Sequence, residues 1–166
     1  VIDEDILTIL DDMMETMYHA NGIGLAATQI AIDKRLIVMD CGKTKYETQN
    51  NSEEEYDEKI KDEKFEPFPI KMINPEIISL GKNLEEREEG CLSIPGYNAK
   101  IKRPSSLKVK YTDENKKDNI IDAEGLLATC IQHEIDHLNG ILFIDHLSKL
   151  KREIILKKAI KEYSKN

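Results

Sequence analysis

The stretch Cys130-Ile-Gln-His133-Glu134-Ile-Asp-His137-Leu-Asn-Gly140 contains the pattern H-E-x-x-H. Positions four apart on a helix share a face, with Cβ atoms about 5–6 Å apart. His133 and His137 can therefore reach one divalent metal ion. Glu134 projects from an adjacent part of the helix surface, where it can touch a water on the metal without being a ligand. Gly140 stands where a glycine would cap the end of the helix. The pattern also arises by chance, so the rest of the chain has to decide its meaning.

Catalytic zinc-type sites use three protein ligands and leave a further position for water. The extended pattern H-E-x-x-H-x-x-G-x-x-H fits at Gly140, but its third histidine would fall at position 143, which is Phe. Glu153 and Glu162 lie in a Lys-rich helical stretch that reads as surface, and His146 beside Asp145 reads as a solvated loop residue. Cys91 is the better candidate. It sits in Glu88-Glu89-Gly90-Cys91-Leu92-Ser93-Ile94-Pro95-Gly96, where Gly90 and Pro95 mark a shaped segment rather than a packed strand. A free cysteine is nevertheless more often an inert core residue.

These residues need elements to hold them. The 166-residue chain is 40 % hydrophobic and 34 % charged, long enough for one domain with a real core. A net charge of −8 makes general nucleic-acid binding unfavourable, although a local basic patch could still bind. No apolar run approaches the roughly 20 residues of a membrane span, and no signal peptide is visible. The chain starts at Val1 inside a helix-like pattern, so a native N-terminal segment is expected upstream. The three cysteines Cys41, Cys91 and Cys130 form no C-x-x-C pair, which argues against a disulfide scaffold and for a reducing compartment.

Asp3 to His19 reads as an amphipathic helix with Ile6, Leu10, Met13 and Met17 on one face. Gly22-Ile-Gly-Leu-Ala-Ala-Thr-Gln29 has two closely spaced glycines but does not complete G-x-G-x-x-G, and no strand precedes it. Arg35–Asp40, Ile70–Ile73, Ile77–Leu80 and Leu107–Tyr111 read as strands, with Ile120-Ile121 in a further one. Residues 43–66 read as a solvated acidic surface loop, since 53–66 holds eight acids against three lysines. A helix from near Glu124 carries the histidines, and a last helix runs from about Ser148 to Tyr163. The expected fold class is α+β: short, mostly antiparallel sheets around a central metal-binding helix, with a C-terminal helix.

Three strings in this order, Gly22-Ile-Gly-Leu-Ala-Ala-Thr-Gln29, Glu89-Gly-Cys-Leu-Ser93 and Gln132-His-Glu-Ile-Asp-His137, resemble the three signature motifs of the peptide deformylase family. The resemblance covers nearly the whole chain. It implies a hydrolase that removes the formyl group from N-formylmethionine at the start of nascent polypeptides and releases formate. It also implies that Cys91, His133 and His137 bind one metal ion: Fe²⁺ in the cell, with Zn²⁺, Ni²⁺ or Co²⁺ accommodated in purified protein. Glu134 becomes the general acid/base, and Gln29 with the Leu92 N–H meets the formyl oxygen. Ile23 and Gly24 hold the substrate backbone extended. Glu89, Leu126, Thr129 and Cys130 surround the methionine side chain, and Asp136 pairs with Arg103.

By the same resemblance the protein is a monomer of the bacterial cytoplasm or of an organelle of bacterial descent. The family's first extended segment is absent here, and the acidic insertion is longer than in many relatives. The last helix carries seven Lys/Arg against two Glu over 148–166; the resemblance implies that such a helix docks on the ribosome, where phosphate contacts would reward the basic patch. Two other readings stay open on the residues alone: a metallopeptidase cutting internal bonds, and a metal-binding protein without activity.

Overall fold

The computed structural model describes residues 2–43 and 66–164; the bulk of the acidic segment, 44–65, lies outside them. Asp3 has extended backbone, and its carboxylate accepts the Ile6 N–H at 3.1 Å. Helix α1 (Glu4–His19) therefore begins with one of its orphan donors satisfied. The expected apolar face is its buried face, with Met14 added.

Five strands form an antiparallel sheet in the order β1 (Gly24–Ala26), β2 (Leu36–Asp40), β3 (Pro69–Leu80), β6 (Ser106–Thr112) and β7 (Asp118–Glu124). Successive strand residues face opposite sides, and β2 is buried at every position. Its Leu36 and Val38 pack with Leu10, Met13 and Met17 of α1. Ile37 and Met39 pack on the other face with Leu127, Ala128, Ile131 and Ile135 of α2 (Gly125–Leu138). A central strand covered on both faces has to read as an unbroken apolar run.

The two short strands expected around Asn74-Pro75 are one strand with a bulge. Asn74 takes φ 52° and donates its N–H to Arg35 O at 2.8 Å, and the register slips between Ile73 and Glu76. Proline has no N–H for the ladder, so the bulge is where it can be accommodated.

The strands β4 (Leu84–Cys91) and β5 (Ile94–Pro104) form a separate hairpin. This pair was not expected as strands; β4 in particular is a charge-rich run from Glu85 to Glu89. Cys91 is the last residue of β4, at a register slip beyond Gly90, with Leu92 and Ser93 forming the turn. Ile94 and Ile101 of β5 pack with Phe143 and Ile144 of a 3₁₀ turn (Phe143–His146) and with Ala159 of α3 (Lys149–Tyr163).

Helix α2 lies between the sheet and this hairpin layer and is buried on nearly all sides. It ends as expected at Gly140, which has φ 75°. Gly140 N–H donates to His137 O at 3.1 Å and Ile141 N–H to Asp136 O at 2.8 Å. This is the paired closure of a Schellman motif, which needs a left-handed residue at that position. The architecture is α+β, with antiparallel sheets around the histidine-bearing helix and a C-terminal helix. Among the described residues no helix is long and apolar enough to cross a membrane.

The chain from α1 into β1 is fixed by buried Asp40. Its Oδ1 accepts the N–H groups of Gly42 and Phe68, its Oδ2 accepts the Tyr18 hydroxyl at 2.5 Å, and its own N–H donates to Ile23 O at 2.9 Å. Burial and the hydrogen bond to Asp40 push the Tyr18 hydroxyl up to about 12 from 10. The raised value favours the protonated, folded form, so this contribution is complete below about pH 10 and is lost as pH rises toward 12. We expect Tyr18→Phe to be less stable than the parent at pH 8, with the gap closing between pH 10 and 12; parallel urea titrations at each pH measure it.

Candidate metal centre

His133 and His137 lie one turn apart on α2, and the end of β4 brings Cys91 to them. Cys91 Sγ is 3.1 Å from His137 Nε2, which is 3.2 Å from His133 Nε2. A tetrahedral cation with nitrogen and thiolate ligands needs donor separations of roughly 3.3–3.6 Å. The three donors, all within 4.8 Å of one another, are close enough to share one such ion after small shifts, and they are the single cluster of this kind among the described residues.

The electrostatics favour a cation. Burial alone would raise the Cys91 thiol, but hydrogen bonds with His133 and His137 override it and bring it down to about 5. Cys91 is thus a thiolate at neutral pH. Burial alone would lower His133, but its bonds with Cys91 and Glu89 raise it to about 10. Cys130 is the opposite case: its contact with Cys41 and its burial push the thiol well up, so it remains neutral.

Glu89 fixes the outer side of His133. Its Oε1 lies 2.7 Å from His133 Nδ1, and both its oxygens accept from Arg103, at 2.7 and 3.0 Å. Arg103 also donates to Asp136 Oδ2 at 2.8 Å, the pairing expected from the motifs, and His146 Nε2 lies 2.7 Å from the same oxygen. His146 is therefore bonded to Asp136 rather than simply solvated. Burial alone would raise Glu89, yet bonds from His133 and Arg103 hold it below the usual carboxylate range. Phe143, at the position where a third histidine would fall, stacks on His133 with ring centroids 6.2 Å apart.

Glu134 lies beside this cluster, only 4 % exposed, and its Oε2 has no hydrogen-bond partner. Burial pushes its carboxyl up to about 7; the two imidazoles oppose this, while Cys91 and Glu89 reinforce it. Such a group exchanges a proton near neutral pH. A Cβ at Gly24 would collide with Glu134 Oε1 and with Cys130 Sγ, so only glycine lets β1 pass this close.

A cavity of about 390 Å³ opens over the cluster. Leu126, Thr129 and Cys130 of α2 form one wall, with Ile23 and Gly24 of the glycine-containing segment opposite. Glu89 also borders the cavity, but its carboxylate is occupied by His133 and Arg103. Gln29 and Leu92 meet at the rim: Gln29 Nε2 is 3.5 Å from Cys91 Sγ, and Leu92 follows Cys91 in the turn. Tyr97 and Asn98, which also line the cavity, and the bond between Gln29 and Ser93 were not expected from the sequence. Asn98 had a signal, since it faces Gly90 across the hairpin, but that needed the hairpin register.

The polypeptide deformylase family model matches residues 1–153. The chain belongs to the polypeptide deformylase family. It is 47 % identical to a peptide deformylase of Agrobacterium fabrum over 96 % of this chain and 83 % of the relative. It is 50 % identical to one of Bradyrhizobium diazoefficiens over 95 % of this chain and 82 % of that one. The crystal structure of peptide deformylase from Ehrlichia chaffeensis superposes with a TM-score of 0.82 at 40 % identity, covering 99 % of this chain and 86 % of that one. The family and the hydrolase class that the three motifs implied are thus both supported, and the deformylase Cys/His triad is assembled in this fold.

Ligand-orienting carboxylates typically contribute 10–100-fold to metal affinity. Glu89→Gln should weaken divalent-metal binding by about that factor, read by competition with a chromophoric chelator. Unchanged affinity would show that Glu89 does not orient His133.

Proposed function

We propose that Cys91, His133 and His137 hold the metal of this deformylase and that Glu134 moves the protons of its reaction. The chain is a metal-dependent hydrolase of the deformylase family, removing the N-formyl group from nascent peptides and releasing formate. The observation that carries the residue assignment is the unpaired, buried Glu134 Oε2 beside the Cys/His/His triangle. A structural metal site would have no use for it, which disfavours a metal-binding protein without activity. Phe143 in place of a third histidine disfavours the metallopeptidase reading.

A divalent cation, when bound, supplies a Lewis acid that acidifies water and polarises the formyl carbonyl. Glu134 accepts the proton of the attacking water and returns it to the departing amine, a task suited to a carboxyl poised at about 7. Gln29 Nε2 and the Leu92 N–H donate to the formyl oxygen as it gains charge. Ile23 and Gly24 hold the peptide backbone extended along β1, an edge strand of the five-stranded sheet. Leu126, Thr129 and Cys130 enclose the methionine side chain, with the aliphatic part of Glu89 closing the pocket.

Fe²⁺ is our choice of cellular metal, with Zn²⁺, Ni²⁺ or Co²⁺ filling the same donors in purified protein. We take residues 1–166 as one catalytic domain, working as a monomer in the bacterial cytoplasm or in an organelle of bacterial descent. Lys149, Lys151, Lys157, Lys158 and Lys161 are exposed on or beside the outer surface of α3. They suit docking on ribosomal RNA, which should weaken steeply with added salt.

The test is formate release from a formyl-Met-Ala peptide by anaerobically prepared, Fe²⁺-loaded protein. Glu134→Ala should keep its metal and lose the activity. Removing one oxyanion donor costs about 10²–10³ in rate, so Gln29→Ala should lose turnover on that scale with metal retained. Near-normal turnover in either variant would overturn its role.

A further inference from the structure

Both ends of the Gln29 amide are held. Its Oε1 accepts the Ala26 N–H at 2.9 Å, and its Nε2 donates to Ser93 Oγ at 2.9 Å. A backbone N–H can only donate, so the amide oxygen has to face Ala26. The first bond closes the 3₁₀ turn Ala27–Ile30 from within. The second crosses the cleft to the turn that follows Cys91.

We propose that Ser93 is a positioning residue for deformylation: its hydroxyl holds the Gln29 carboxamide with the NH₂ turned toward Cys91, where the formyl oxygen gains charge. This rests on the assignment of Gln29 to the formyl oxygen made above.

Nε2 carries two hydrogens. Ser93 takes one; the other points to Cys91 Sγ at 3.5 Å, a long bond to a soft acceptor that the formyl oxygen can replace. The terminal torsion of glutamine is broad and roughly two-fold, so one bond alone restrains it weakly. Without the Ser93 hydroxyl the amide can turn over and aim Oε1 at the developing negative charge. Ala26 N–H opposes that turn, so the loss is smaller than deleting the amide. A single hydrogen bond of ordinary strength corresponds to about 3- to 10-fold in rate. Ser93 also donates its backbone N–H to Cys91 Sγ at 3.4 Å, a bond that side-chain substitution leaves in place.

The experiment measures kcat and KM on formyl-Met-Ala-Ser for metal-loaded wild type, Ser93→Ala, Ser93→Thr, Gln29→Ala and the Gln29→Ala/Ser93→Ala pair. Cobalt-substituted samples of each report the thiolate–metal absorption band. We expect Ser93→Ala to lower kcat about 3- to 10-fold with KM within about twofold and the cobalt band unchanged. Ser93→Thr should restore most of the loss, and Ser93→Ala should have no further effect once Gln29 is Ala. The proposal is overturned by unchanged or faster turnover in Ser93→Ala, by an equal loss in the Gln29→Ala background, or by a shifted cobalt band. Failure of the underlying reading is separate: it would appear as near-normal turnover in Gln29→Ala alone.

Discussion

The Glu89 carboxylate joins the two halves of the site. It stands on β4, two residues before Cys91, and accepts from His133 of α2 and from Arg103 of β5. Arg103 continues to Asp136, back on α2. The strand that delivers the thiolate is thus fastened to the helix that delivers the imidazoles by one buried chain of charges. Glu89 and Arg103 side chains are each only 5 % exposed. Removing one partner of such a pair strands the other and costs about 3–5 kcal/mol, whereas the intact pair adds little to stability. What it contributes is position: with Nδ1 occupied by Glu89, His133 turns Nε2 toward His137.

This arrangement works because α2 is buried. A helix with an exposed face would keep its carboxylates solvated and its imidazoles near their ordinary values. Between the sheet and the hairpin layer, buried Glu134 is instead pushed up to about 7 and half-buried Cys91 down to about 5. The difference lies in their partners: the thiolate has two imidazoles and a backbone N–H, and Glu134 Oε2 has none.

The histidine helix, α1, the central strand β2 and the Schellman glycine were legible because each depends on local periodicity or a single backbone requirement. The clustering of Cys91 with His133 and His137 was legible from motif order, not from spacing alone, since His133 and Cys91 are far apart in the chain. The hairpin was not. Glu85, Glu86, Glu88 and Glu89 carry no apolar alternation that marks a strand, and only the folded pairing shows that Glu89 points inward and is matched by Arg103. The joined β3 was hidden by Asn74-Pro75, a sequence that breaks a strand unless a bulge accommodates it. His146 was assigned to solvent because its partner, Asp136, lies on another element.

Besides α2, two segments border the cleft. One is the segment from Asn21 through the 3₁₀ turn, anchored to β2 through Asp40; the other is the turn of the hairpin, anchored to α2 through Glu89. They meet where Gln29 reaches Ser93 and Cys91, and where Leu92 lies over Gly22 so closely that a Cβ there would come within 2.9 Å of its Cδ1. Each segment is anchored by its own buried carboxylate, and these small contacts join the two across the cleft. Gly22 lets the first segment approach Leu92 of the second, while Gly24 lets it approach Glu134 and Cys130 of α2. The bond from Gln29 to Ser93 spans the same gap, with Gln29 Nε2 also 3.5 Å from Cys91 Sγ.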